Sequence, residues 1–134
     1  MIYYKSGYKY QLETSYSLIV GISPAEDIET DYINLSKLGR LTIKRGYAWD
    51  GPSGPTIDTK NFMRGSLVHD ALYQLIRQKH LPKESRLQAD LELKRICLED
   101  GMSRIRAWWV YHAVRLGGGP AADPKNVKMV LTAP

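Results

Sequence analysis

The feature that most limits what this chain can fold into is a change of period partway along it. Tyr8, Tyr10 and Leu12 alternate with Lys9 and Gln11, and YSLIVGI (16–22) is a continuous apolar run of strand length. The stretch DYINLSKLGRLTIKRGY (31–47) holds two alternating segments around Lys37 to Gly39, where Gly39 can supply a positive φ; it reads as a β-hairpin. Residues 48–58 gather Gly51, Pro52, Gly54 and Pro55 around Ser53 and read as a stiff loop. Beyond them the period is helical. A first helix is expected over about 60–78, capped by Asp58 or Thr59, and a second over about 82–100, opened by Pro82 and closed by Gly101. Ser103 caps a third, ended by the Gly117–Gly119 run, and a tail from Pro120 to Pro134 could add one edge strand at VKMVL (127–131). Strands first and helices after imply an α+β fold, with N-terminal antiparallel strands and hairpins followed by a three-helix C-terminal half packed on the sheet. No linker-like break interrupts the 134 residues, so a single domain is expected: β-rich to 47, loop to 58, helical to 117, then tail.

Composition narrows the partners. With 43% apolar and 25% charged residues the chain reads as globular, and no apolar run approaches the roughly 18 residues of a membrane span. MIYYKSGYKY lacks the apolar core of a secretory signal, so cytoplasmic synthesis without export is expected. The single cysteine, Cys97, excludes an internal disulfide and a cysteine-cluster zinc site. The net charge of +5 is spread along the whole sequence rather than clustered, which argues against nucleic acid as a partner.

Placing successive helical residues ~100° apart tests which polar side chains face inward. On the first helix Val68, Ala71, Leu72, Leu75 and Ile76 form the apolar arc; His69 falls inside it, and Asp70, Gln74, Arg77 and Gln78 outside. On the second, Gln88, Glu92, Arg95 and Glu99 mark the wet side, so Asp90 and Cys97 point at the core between Leu87, Leu91, Leu93 and Ala89. On the third, Ile105, Trp109, Val110, Ala113, Val114 and Leu116 form the arc with Arg106 near its middle. Arg104, Trp108, Tyr111 and Arg115 line the other face, where packing is expected for Trp108 and exposure for the arginines. Unpaired buried charges cost several kcal/mol, so Asp90, Arg106 and His69 are expected to meet one another or a cleft.

Such a cluster can simply fix how three helices pack. With Asp50 delivered from the preceding loop, it also supplies one imidazole and two carboxylates, the set for a divalent metal at His69, Asp90 and Asp50 or for general acid–base chemistry. His69 would then be base or ligand, Asp90 would orient it, Asp50 would be the second carboxylate, and Arg106 would hold developing negative charge. Ser66 shares a helix with His69 and is poorly placed as a nucleophile, Cys97 reads as an inert small hydrophobe, and His80 and His112 read as surface residues.

Three motifs occur in order: G-x-x-W-D-G-x-S at Gly46, Trp49, Asp50, Gly51 and Ser53; H-D-x-L-Y at His69, Asp70, Leu72 and Tyr73; and R-x-x-A-D at Arg86, Ala89 and Asp90. Over about residues 40–117 the chain thereby resembles an uncharacterised family of small proteins encoded by tailed phages and prophages, whose third helix would carry its R and Y positions at Arg106, Tyr111 and Arg115. The resemblance implies a phage or prophage source, residence in the host cytoplasm or the virion, and one site shared by the loop and the first two helices. It brings no reaction. The chemistry leaves three readings. The leading one is a hydrolase acting on cell-wall material. Another is a non-enzymatic virion or assembly component that meets a protein partner through its tyrosine-rich strands. The last is a small inhibitor that binds a host protein or signalling nucleotide through Arg104 and Arg115.

Overall fold

A computed structural model describes residues 2–5, 10–49 and 60–117, in which antiparallel strands are followed by three helices, an α+β arrangement. The strands are β1 (Tyr4–Lys5), β2 (Tyr10–Leu12), β3 (Tyr16–Ile19), β4 (Ile28–Glu29), β5 (Ile33–Leu35), β6 (Arg40–Ile43) and β7 (Ala48–Trp49). The helices are α1 (Lys60–Arg77), α2 (Ser85–Glu99) and α3 (Arg104–Gly117). The described strands and the described helices fall in two compact units. No described helix is long and apolar enough to cross a membrane.

In the strand unit, one sheet has the order β1-β2-β7 and the other β3-β6-β5-β4, all neighbours antiparallel. The expected hairpin is β5–β6, registered Ile33 to Ile43 and Leu35 to Leu41, so one face contributes four side chains that are 0% exposed. Burial of that kind is worth about 1.5–3 kcal/mol per side chain. Gly39 carries the expected positive φ, +85°, and a Cβ there would come 2.6 Å from the Val20 carbonyl. The apolar run at 16–22 forms a strand only to Ile19, although Val20 and Ile22 are buried beyond its end. Trp49, expected in a loop, pairs in β7 with Tyr10 of β2 and is 2% exposed. The rest of the expected loop, the Asp58 or Thr59 cap and the tail after Gly117 lie outside the described residues.

In the helical unit, α1 and α2 approach closely at Gly65, where a Cβ would meet Cys97 Sγ at 2.9 Å and Leu93 Cδ1 at 3.0 Å. Arg64 ties the start of α1 to the end of α2 through Asp100 and Glu99, with an Nη2–Oδ1 distance of 2.9 Å to Asp100. The α2–α3 turn follows from capping chemistry: Gly101 N–H donates to Leu98 O, Met102 N–H to Cys97 O, and Gly101 has φ +96°. Ser103 Oγ then accepts from the Arg106 N–H, the expected cap of α3. Pro82 does not open α2; it sits in a turn that accepts from the Ser85 N–H, and α2 begins at Ser85. Phe62, Leu93, Cys97, Met102, Ala107 and Val110 form one apolar cluster.

On α1 the buried residues lie on the expected face, and Arg77 is buried as well, in the last turn. On α2, Asp90 and Cys97 are both 0% exposed, whereas Glu92 is covered rather than wet because Arg95 and Gln88 both donate to its carboxylate. Leu87 and Leu91 are exposed instead of flanking the core. α3 is rotated relative to expectation. Ala107 and Val110 face inward, while Ile105, Trp109 and Leu116 are exposed at 75%, 64% and 89%, and Trp108 is exposed as well. Three large apolar side chains outweigh one alanine in any hydrophobic sum, yet Ala107 and Val110 are the α3 residues buried against Phe62, Leu93, Cys97 and Met102.

Candidate functional site

Two helical spacings of four residues build the cluster. His69 and Tyr73 lie one turn apart on α1, and Arg86 and Asp90 one turn apart on α2, so each pair shares a face. Asp90 Oδ1 accepts from His69 Nε2 at 2.7 Å and from Tyr73 Oη at 2.5 Å, and Asp90 Oδ2 accepts from Arg115 Nη1 of α3 at 2.8 Å. Arg86 completes the chain. Its Nε donates to Tyr73 Oη at 3.2 Å, and its Nη2 to the carbonyls of Val114, at 3.1 Å, and Arg115. A guanidinium there satisfies carbonyls that the end of α3 leaves without intrahelical partners and opposes the negative end of its dipole. The His69 and Tyr73 rings lie 4.1 Å apart between centroids.

Electrostatics follow from this geometry. Burial alone pushes the Asp90 carboxyl up, but hydrogen bonds from His69, Tyr73 and Arg115 together with the nearby imidazole outweigh it and hold the group below its usual value. Asp90 is therefore ionised near neutrality, and His69 Nε2 acts as donor to it. Burial, followed by the hydrogen bond to Asp90, pushes the Tyr73 hydroxyl well above its ordinary range, which keeps it a neutral donor. Among the described residues no buried side-chain nitrogen or oxygen lacks a partner.

The structure brings His69 and Asp90 together, as expected, but not with Arg106. Arg106 and Arg115 are nine residues apart, which at ~100° per residue puts them on opposite sides of α3; with the helix rotated as above, Arg115 takes the place assigned to Arg106. Arg106 instead comes near enough to Cys97 to oppose the rise of its thiol, which burial and then Asp100 push up to about 12. Asp50 lies outside the described residues. Tyr73 and Arg86 were not among the residues assigned chemistry from the helical faces, although both are positions of the H-D-x-L-Y and R-x-x-A-D motifs and lie four residues from His69 and Asp90. Among the described residues no group of three or more His, Cys, Asp or Glu side chains could hold a metal. The Asp90 oxygens are taken by three donors including a guanidinium, surroundings that a divalent cation would have to displace. Ser66 Oγ donates to Met63 O at 2.9 Å, and Cys97 is buried, so neither is poised as a nucleophile. His80 is exposed and His112 half-buried.

Fold and cluster together define an α+β protein whose three helices converge on one buried carboxylate. The family described as "Protein of unknown function (DUF1353)" matches residues 27–114, from β4 to the penultimate turn of α3, and the chain belongs to it. No curated protein and no solved structure matches the chain.

Proposed function

We propose that this protein is a non-enzymatic component of a tailed phage or prophage, acting in the virion or in its assembly, with the His69–Asp90–Arg115 cluster serving as a structural fastener. One observation carries this reading: Asp90 is 0% exposed and accepts from three donors on the two neighbouring helices. An ion so enclosed makes the loss of any one partner costly, whereas a reacting group needs access to its substrate. Host cytoplasm and virion are both places such a component would occupy. Commitment of Arg115 to Asp90 also weakens the inhibitor reading, which needs that arginine for a ligand.

A second reading, hydrolysis of cell-wall material, is favoured by the imidazole. With Nε2 held by an ionised carboxylate, Nδ1 is the basic nitrogen of His69, whose side chain keeps 10% of its surface open; Arg115, rather than Arg106, would hold developing negative charge. Incubation with purified peptidoglycan separates the two. The fastener reading expects no release of soluble fragments, and His69→Gln and Asp90→Asn lower the melting temperature. Fragment release by the wild-type protein that a folded His69→Gln variant lacks overturns it.

A further inference from the structure

Of the fourteen residues of α3, Ala107 and Val110 are the buried ones, against thirteen of eighteen on α1 and six of fifteen on α2. An alanine and a valine are a small apolar anchor, and a helix of this length is marginal in water without tertiary packing. Within the helical unit α3 is therefore held largely at its two ends. At its start Met102 N–H donates to Cys97 O, and Gly101, with φ +96°, turns the chain. At its finish Arg115 Nη1 reaches Asp90 Oδ2 at 2.8 Å, while Arg86 Nη2 holds the carbonyls of Val114, at 3.1 Å, and Arg115. The Arg115 side chain is 31% exposed, so water already stands beside this last contact.

α1 and α2 are joined without α3. Gly65 lies against Leu93 and Cys97, Arg64 donates to Asp100 and Glu99, and His69 and Tyr73 both donate to Asp90. None of these contacts uses a residue of α3, so all of them outlast its departure. The two sets of contacts also differ in what replaces them. When α3 leaves, water takes the place of the guanidinium at Asp90 Oδ2 and hydrates the freed carbonyls, and Arg86 keeps its bond to Tyr73 Oη. We infer that α3 is a strap over the His69–Asp90 cluster, hinged at Gly101 and latched at Arg115, which opens as one piece while α1 and α2 stay joined. The open form admits solvent and small solutes to a carboxylate that the closed form seals, so the latch governs access to the cluster. This goes beyond the fastener reading and does not depend on it, because the motion needs neither a partner nor a reaction.

The test is hydrogen–deuterium exchange of the full-length protein, read by mass spectrometry on peptides from each helix. Corrected for intrinsic rates, the amides of 108–116 are expected to exchange together, about tenfold or more faster than those of 67–76 and 91–97. Gly65→Ala weakens a contact that the open form keeps. It is expected to speed the amides of α1 and α2, and the labelling of Cys97 that lies against Gly65, and to leave those of α3 unchanged. Arg115→Met removes the latch and is expected to speed the α3 amides about tenfold or more. One common rate for all three helices overturns the proposal, as does equal acceleration of α1 and α3 by Gly65→Ala. Exchange graded back from Gly117, with 108–111 as slow as α1, is fraying of a helix end and overturns it too. So does an unchanged α3 in Arg115→Met.

Discussion

At Asp90, replacing one carboxylate oxygen by an amide nitrogen turns an acceptor into a donor facing donors. Asp90→Asn therefore loses charge-assisted bonds and creates a clash of hydrogens, and Arg115→Leu leaves a buried anion short of its cation. Each is expected to cost about 3–5 kcal/mol in denaturant midpoints, and the double variant is expected to cost much less than their sum. The pH dependence has a definite sign. Asp90 titrates lower in the folded chain than unfolded, so its stabilisation is complete above the unfolded value of about 3.9 and is lost as pH falls through the folded value. Acid melts are expected to steepen below about pH 4 in wild type and to flatten in Asp90→Asn. The meeting of His69 with Asp90 was legible in the sequence because each lies in an apolar arc whose phase is fixed by its own helix. Arg115 was not assigned to it, because the larger apolar residues of α3, Ile105, Trp109 and Leu116, suggest a phase in which they face inward, whereas Ala107 and Val110 are the buried ones.

The helices were legible as elements, since an apolar period over fourteen or more residues survives any single misread position. Their ends were less so. α1 stops through the same pair of bonds that ends α2, His80 N–H to Leu75 O and Lys79 N–H to Ile76 O, but the left-handed position is filled by Lys79 with φ 65°. No glycine marks this stop. Lys79→Gly is expected to raise stability by about 1 kcal/mol, because a side chain in that conformation costs about that much; an unchanged or lower melting temperature would contradict it. The opposite sign is expected at Gly65, where Gly65→Ala forces Cβ into Leu93 and Cys97 and costs about 1–3 kcal/mol. Strand pairing was legible where alternation and Gly39 agreed, as in β5–β6. It was hidden at β7, where two residues give no period and only the neighbouring β2 defines the strand.

Taken whole, the chain was legible as α+β from the change of period alone, because that property belongs to long segments rather than to single contacts. Cys97, the only cysteine, gives the helical unit a built-in reporter: buried and with its thiol pushed up to about 12, it reacts only through opening of the structure around it. Labelling by a disulfide reagent at pH 8 is expected to be slow in the native protein and to speed up about tenfold for each 1.4 kcal/mol that Gly65→Ala removes. Labelling at the rate of a free thiol would contradict the buried placement. The Arg115 contact has one more consequence, for chain length. Ser103 fixes the start of α3, and twelve residues later Arg115 must reach Asp90 while Arg86 holds the last carbonyls. One residue inserted between them would swing everything beyond it by ~100° and leave the carboxylate facing a different side chain. The connection over 78–84 bears no such phase, because both helices it joins carry their share of the cluster further inside. Length differences among homologous chains are therefore expected to collect at 78–84, and within 103–115 to occur only by nearly whole turns.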